Sequence, residues 1–241
     1  MPRYDDDKEK SAMNNSTEHL IASLTTELPP VKRLASPGKR LLGWVALALP
    51  ISLVLGSVVE QHSFAIVLGE RRPFELAFQR LSDARSLIEL GAILITALTA
   101  GYAALASCQP GRSRKVWMLP VAPFIAWLLL VGESCFRLFE QIGPDQFSFV
   151  PHWTCYPSVL ATGAAPALVI AILLRRGMLT SPSLSTGLAV LAASALGAVG
   201  LRLFHPPDAT ALLLFWQLFA TVTFLALATV AGKVMELREA V

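Results

Sequence analysis

Long apolar runs separated by polar segments make up most of the chain. Six of these runs, about 41–59, 87–106, 116–132, 158–174, 186–203 and 210–231, are each long enough to cross a bilayer as a helix. The last two are joined by a short polar elbow from His205 to Asp208, which is typical of a helical hairpin in lipid. The pattern predicts an all-α membrane protein built as a six-helix transmembrane bundle.

A shorter amphipathic pattern precedes the first run. Leu20, Ile21, Leu24 and Leu28 recur at spacings that place them on one face of a helix, and the prolines at 29–30 end it. A helix of about three turns is marginal alone in water, so we expect it to order fully only against a partner. The alternative is a helix that lies on the membrane surface.

The distribution of basic residues predicts how the chain is oriented. Six spans put both termini on one side, and a cytoplasmic N-terminus places fourteen of the twenty Lys and Arg residues inside. We therefore predict a cytoplasmic tail (1–40) carrying a binding helix at about 16–34, a transmembrane domain (41–232) and a cytoplasmic C-terminal tail (233–241). Residues 1–15 are charged and expected to be disordered, and Met13 is an alternative start.

Composition narrows the classes of function. The chain is 54% hydrophobic and 15% charged, with a mean hydropathy of +0.57 and a net charge of +3. Its basic residues lie beside apolar runs, where they set topology, so direct nucleic-acid binding is not predicted. The phosphate-loop, HExxH and GxSxG signatures and opposed mid-membrane histidines for haem are absent, so we predict no catalysis and no bound cofactor.

Small residues and prolines inside the runs predict how the helices pack. Small side chains recur every four positions and allow close helix contact in lipid; they are Thr96, Ala100, Ala104, Gly163, Ala167, Ala171, Ala189, Ala193 and Gly197. The prolines are expected to kink their helices, with neighbouring helices meeting the freed carbonyls; they are Pro50, Pro120, Pro123 and Pro166. Three tryptophans, Trp44, Trp117 and Trp216, fit the interfacial belts.

Charged residues near the span ends are expected to form pairs, since each would be costly alone in lipid. Arg202 is expected to pair with Glu133 or with Asp208, as a structural clamp. Glu89 lies one turn after Arg85, and a local pair between these two is predicted.

The predicted outer face gathers the residues with metal or redox chemistry. Cys135, His152 and Cys155 lie in or beside the second outer loop, and His205 and Asp208 lie in the elbow. Thiols, imidazoles and a carboxylate suit a thiophilic metal, held by Cys155, His205 and Asp208, or a redox switch with a disulfide between Cys135 and Cys155. The alternative is structural, with a small apolar cysteine and interfacial histidines that only donate hydrogen bonds. The remaining cysteine, on the inner side, is expected to stay reduced.

Several motifs taken together resemble one family of bacterial regulators. They are LIASLTTELPPVKRL, the inner loop PGRSRKVWMLP, the outer WTC, the inner LLRRG and LRLFHPPDATALLLFW. From about residue 18 to 232 the chain resembles the NrsF-type anti-sigma factors. The resemblance implies a six-span protein of the bacterial inner membrane that sequesters an extracytoplasmic-function sigma factor and releases it on metal or oxidative stress.

The resemblance also implies roles for particular residues. The sigma factor is expected to bind one N-terminal surface, formed by Leu20, Ile21, Leu24, Leu28, Val31, Lys32, Arg33 and Leu34. In members with a His-Cys-Pro elbow, a cysteine after the histidine partners the W-x-C cysteine, but here that position is Pro206. Either Cys135 replaces it as the partner of Cys155, or sensing uses His205 and Asp208 with a transient metal ion as the signal.

Two other classes of function fit parts of the pattern. A small membrane transporter or metal-export component would use the outer ligand cluster as an entry site, although its spans would be expected to carry a polar site near the midplane. An enzyme or assembly subunit with a cofactor between spans would show a visible or metal-bound chromophore on purification. In every case membrane lipids surround the chain.

Overall fold

The computed structural model describes residues 16–25, 34–67, 73–109, 111, 113–142, 155–177, 182–204, 219–228 and 230. These residues form eight α-helices and one 3₁₀-helix, and the described part contains no strand. The helices are α1 (16–25), α2 (Pro37–Val67), α3 (Pro73–Ser82), α4 (Ala84–Ala106), α5 (Val121–Ile142), α6 (Cys155–Arg175), α7 (Pro182–Phe204) and α8 (Phe219–Ala228). The 3₁₀-helix is Arg114–Met118.

The chain divides into two compact units, residues 1–34 and 35–241. The first contains α1, a helix over residues 16–25 within the predicted segment 16–28, and the cytoplasmic position of this helix stays a prediction. Leu20, Ile21 and Leu24 are each more than half exposed on it. Leu34, at the end of this unit, is also exposed. The other predicted contact residues, Leu28, Val31, Lys32 and Arg33, lie outside the described residues.

The second unit is a helical bundle with five helices long and apolar enough to cross a membrane. These five, Pro37–Val59, Ala84–Ala106, Lys115–Ser134, Tyr156–Arg175 and Pro182–Phe204, correspond to the first five predicted spans. Of the sixth predicted run, 210–231, only α8 and residue 230 are described, so a count of six spans stays a prediction.

The helix α7 forms the centre of the bundle. About 72% of its most apolar stretch is buried, against 22% for α2 and 17% for the α5 span, and it packs against α2, α4 and α6. Its buried positions are mostly Ala, Gly and Ser, which let neighbouring backbones approach on several sides at once. The more exposed faces of α2 and α5 carry large apolar side chains, as expected of helices that face lipid.

Glycines set the closest helix contacts. A Cβ on Gly197 of α7 would lie 2.8 Å from the Cα of Gly163 in α6. A Cβ on Gly56 of α2 would lie 2.5 Å from the carbonyl oxygen of Gly200 in α7. The predicted small-residue contacts are thus confirmed at most positions, but Ala171 is exposed and does not take part.

The prolines act differently from one another. Pro166 lies inside α6, and the Thr162 carbonyl that it leaves without an in-helix donor accepts a hydrogen bond of 3.2 Å from Ser52 Oγ in α2, as predicted. Pro120 and Pro123 do not interrupt a helix, so the kink predicted there is wrong. The 3₁₀-helix ends before them, and α5 begins at Val121, where a missing N–H costs little.

The short helix α3 lies at the end of the bundle where α2 ends and α4 begins. It packs against α4 and α7 through a buried face that includes Ala77, while Phe74 and Phe78 are largely exposed, as expected of an interfacial helix. Asp83 then caps α4 by accepting hydrogen bonds of 2.8 Å from the backbone N–H and the hydroxyl of Ser86. These two bonds lower the pKa of Asp83.

Candidate functional site

Two of the predicted sensing residues are in helices at one end of the bundle, and the other three directly precede or follow helices of this end in the sequence. Cys135 is in the last third of α5, and Cys155 is the first residue of α6. His152, His205 and Asp208 lie outside the described residues, as do the side chains of both cysteines. The proposed metal site and the Cys135–Cys155 disulfide therefore stay predictions.

A buried ion pair joins α4 to α7 at this same end. Arg202 Nη2 lies 2.7 Å from Glu89 Oε1 and 2.9 Å from Glu89 Oε2, and each side chain is only 6% exposed. The predicted Glu89–Arg85 pair is thus wrong, and so is the alternative of Glu133 as the partner of Arg202. The buried guanidinium of Arg202 requires a carboxylate that also faces the bundle interior. Glu89 meets this requirement, and the more exposed Glu133 does not.

Glu133 instead forms a more exposed cluster with two arginines. Its carboxylate lies 3.1 Å from Arg85 Nη2 and 2.7 Å from Arg137 Nη2. Arg85 also donates a 3.2 Å hydrogen bond to Ser134 Oγ, which ties the start of α4 to α5. A carboxylate held by two guanidinium groups is a poor ligand for a cation. Glu133, which neighbours Cys135 in the sequence, is therefore a structural residue of this end.

Metal binding has no preformed site in the part of the chain that the structure describes. Among the described residues, no three His, Cys, Asp or Glu side chains are grouped closely enough to hold an ion. The three predicted ligands, Cys155, His205 and Asp208, are not among the side chains that the structure describes. The metal and redox chemistry predicted for this end of the bundle therefore rests on the residue types in the sequence alone.

The third cysteine, Cys108, is packed at the opposite end of the bundle. Its thiol is buried with the sulfur 3.8 Å from the Ala104 carbonyl oxygen, and a Cβ on Gly177 would lie 2.6 Å from its own Cβ. Burial raises the pKa of the Cys108 thiol, and the nearby Arg40 guanidinium opposes this rise. A buried neutral thiol reacts slowly with oxidants, so Cys108 is a poor candidate for a redox sensor.

Two residues at the Cys108 end of the bundle lie where the sequence pattern does not predict them. Arg40 was counted among the basic residues of the cytoplasmic tail, but it is buried in the first turns of α2 and donates to the Leu173 carbonyl oxygen of α6. Trp44 was assigned to an interfacial belt, which is wrong, because it is fully buried and donates to the Pro166 carbonyl oxygen at 3.0 Å. The signal that was missed is their spacing of four, which puts both on one face of α2.

The fold and the charge pairs define a class, a polytopic helical membrane protein whose buried polar groups hold helices together. Residues 24–237 match the family described as NrsF, negative regulator of sigma F. The chain belongs to this family, which confirms the resemblance seen in the motifs. The match covers the whole described bundle and begins within α1, at Leu24. No curated protein and no solved structure matches the chain.

The family makes a sigma factor the expected partner and a regulatory role the expected activity. The buried pair of Glu89 and Arg202 is a contact between two helices, and Cys108 is packed among other side chains. The candidate partner-binding residues are those of α1, and the candidate sensing residues are those around Cys155 at the start of α6.

Proposed function

We propose that this protein is a membrane-bound anti-sigma factor. Its N-terminal segment, about 16–34, sequesters an extracytoplasmic-function sigma factor in the cytoplasm of a bacterium. Metal or oxidative stress acts on the opposite face of the inner membrane and releases the sigma factor. Both termini are cytoplasmic in this proposal, as the distribution of basic residues favours.

The observation that carries the proposal is the apolar face of α1. Leu20, Ile21 and Leu24 lie within one turn of one another, and each is more than half exposed. Apolar helical faces of this kind bind into grooves of partner proteins, with side chains at spacings of three and four as anchors. Membership of a family of negative regulators of a sigma factor supplies the kind of partner. Val31, Lys32, Arg33 and Leu34 would extend the same contact.

Release requires that a signal change the relative stability of two arrangements of the bundle. To move the equilibrium from 99:1 bound to 1:99, the signal must favour the releasing arrangement over the binding arrangement by about 5.5 kcal/mol. A partial response needs less. A disulfide contributes about 2–4 kcal/mol, and a bound metal ion can contribute more. Formation of a Cys135–Cys155 disulfide, or metal binding by Cys155, His205 and Asp208, is therefore of the right magnitude.

Charging the apolar face of α1 should abolish capture of the sigma factor. We expect Ile21→Glu with Leu24→Glu in the full-length protein to lower affinity by at least about tenfold, because buried anchors of an interface often contribute 2 kcal/mol or more each. The measurement is co-purification of the cognate sigma factor from membranes, followed by titration. Ala22→Glu, which changes the opposite face of α1, is the matched control. Undiminished capture by the double variant would refute the proposed surface.

Removing the thiol at the start of α6 should block the response. We expect Cys155→Ser to leave sigma-dependent genes repressed under both cadmium and hydrogen peroxide, since the residue can then neither form a disulfide nor offer a thiolate to a soft metal. Cys108→Ser, at the opposite end of the bundle, should respond as the wild type does. A normal response in Cys155→Ser, read from a reporter gene, would exclude the thiol mechanism.

A further inference from the structure

Three polar side chains of α2 donate hydrogen bonds to main-chain carbonyl oxygens of α6. Arg40 Nη2 donates to Leu173, Trp44 Nε1 donates to Pro166 at 3.0 Å, and Ser52 Oγ donates to Thr162 at 3.2 Å. All three donors are buried, and Trp44 and Ser52 are completely so. As the residue numbers rise along α2, their acceptors fall along α6, so the two helices run antiparallel along one hydrogen-bonded seam.

Two of the three donors of α2 bond to carbonyls of α6 that lack a normal hydrogen bond within α6 itself. Pro166 has no N–H, so the Thr162 carbonyl has no in-helix donor, and Ser52 supplies one. Leu173 is in the last turn, where carbonyls lack the usual partner four residues on, and its oxygen accepts only a long bond of 3.4 Å from the Arg176 N–H besides that from Arg40. A guanidinium group at a helix C-terminus also interacts favourably with the helix dipole.

The helix α6 connects the two regions that the proposed function needs to couple. It begins at Cys155 and reaches Leu173 after eighteen residues, which is roughly 27 Å at 1.5 Å per residue and close to the thickness of the hydrocarbon core. Arg40, which holds the far end, lies six residues after Leu34, where the N-terminal unit ends. A displacement of α6 that begins at Cys155 would therefore change the contact of Arg40, a residue close in sequence to the N-terminal unit.

Among the side chains that the structure describes, Arg40 has a spare hydrogen-bond donor, so it can form a new contact when α6 is displaced. Its Nη1 has no hydrogen-bond partner within the described residues, although the group is buried. Carbonyls on the same face of α6 lie about one turn apart, so an axial shift of roughly 5.4 Å would bring another carbonyl of α6 before the same guanidinium. The planar, forked group can exchange one carbonyl for the next without losing its charge or its burial.

We infer that the α2–α6 seam transmits the signal and that Arg40 is the positioning residue that passes the movement of α6 to the N-terminal segment. The inference rests on the proposed function, because it assigns the connection between the sensing face and the tail. In this arrangement the tail itself provides the affinity for the sigma factor, and the seam controls only its release. Loss of Arg40 should therefore uncouple the tail from the bundle and leave the sigma factor bound.

The experiment compares charge-matched variants of the full-length protein with a sigma-dependent reporter. We expect Arg40→Met to repress the reporter as well as the wild type in unstressed cells and to lose at least about tenfold of the induction by cadmium or hydrogen peroxide. Lys39→Met removes the same charge from the exposed neighbouring position and should respond normally. Arg40→Lys retains a donor and a charge and should restore part of the induction.

Other outcomes decide against the inference. Normal induction in Arg40→Met at wild-type abundance would overturn it, and so would constitutive expression, which would mean that Arg40 supports binding rather than release. If Arg40→Met does not accumulate in the membrane, Trp44→Phe replaces it: this variant removes only the Nε1 donor and should also respond weakly, whereas a normal response would overturn the seam as the route. Failure of the proposed function is seen separately, as a wild-type protein that does not repress the reporter.

Discussion

Glu89→Ala should destabilise the bundle by about 3–5 kcal/mol, because it leaves the guanidinium of Arg202 buried between α4 and α7 without its carboxylate. Replacing both partners, as Glu89→Leu with Arg202→Met, should cost far less than the single change, since neither charge of the pair is then left buried without its partner. The free energy can be measured from thermal or denaturant unfolding of the protein in nanodiscs, followed by the fluorescence of the buried Trp44 and Trp127.

The exposed cluster offers a matched control for this prediction. Glu133→Ala removes a carboxylate from two arginines at the same end of the bundle, but solvent reaches these side chains, which are 37–61% exposed. Its unfolding midpoint should stay close to that of the wild type. If Glu89→Ala were as stable as Glu133→Ala, the buried pair would not be the contact that holds α4 on α7.

Adding a single methyl group at Gly56 should separate α2 from α7. The new Cβ would lie 2.5 Å from the Gly200 carbonyl oxygen and 2.8 Å from its carbonyl carbon, and both are backbone atoms that cannot rotate away. Overpacking of this kind costs about 1–3 kcal/mol and sometimes more. We expect Gly56→Ala to lower the unfolding midpoint and the amount of protein in the membrane.

Gly43→Ala is the control on the same helix, because nothing lies within 4 Å of the position that its Cβ would take. Alanine favours helix over glycine, so this variant should be as stable as the wild type or slightly more stable. On α7, Gly200→Ala should behave as Gly56→Ala does, and Gly187→Ala as Gly43→Ala does. Equal stability of Gly56→Ala and Gly43→Ala would show that α2 and α7 do not approach as closely as described.

The positions of the spans and their small-residue contacts could be predicted from the sequence because both are local patterns. A run of about twenty apolar residues is stable in lipid as a membrane-spanning helix. A stripe of small residues identifies the contact face of that helix even when the partner helix is unknown. The role of Pro166 was predictable for the same reason, since a missing N–H frees one identifiable carbonyl.

The partners of the charged residues could not be predicted in the same way. A pattern along one helix shows the face on which Glu89 lies, but it does not show which other helix packs against that face. Arg202, the partner in the structure, is 113 residues away, so no local pattern connects the two. Arg40 was misjudged because a basic residue next to a span is usually in water, and only the fold reveals that α6 ends against it. In contrast, the sensing role of the residues in the elbow and in the second predicted outer loop is still a prediction, which depends only on their residue types.

The central place of α7 determines the order in which the bundle can assemble. Because α7 is the fifth long helix to be synthesised, the surfaces of α2, α4 and α6 that it covers have no common partner until it arrives. At ordinary rates of translation, the ribosome adds Arg202 roughly 6 to 23 s after Glu89. The nascent protein therefore passes through an intermediate in which α4 carries the Glu89 carboxylate before the arginine of α7 that pairs with it exists.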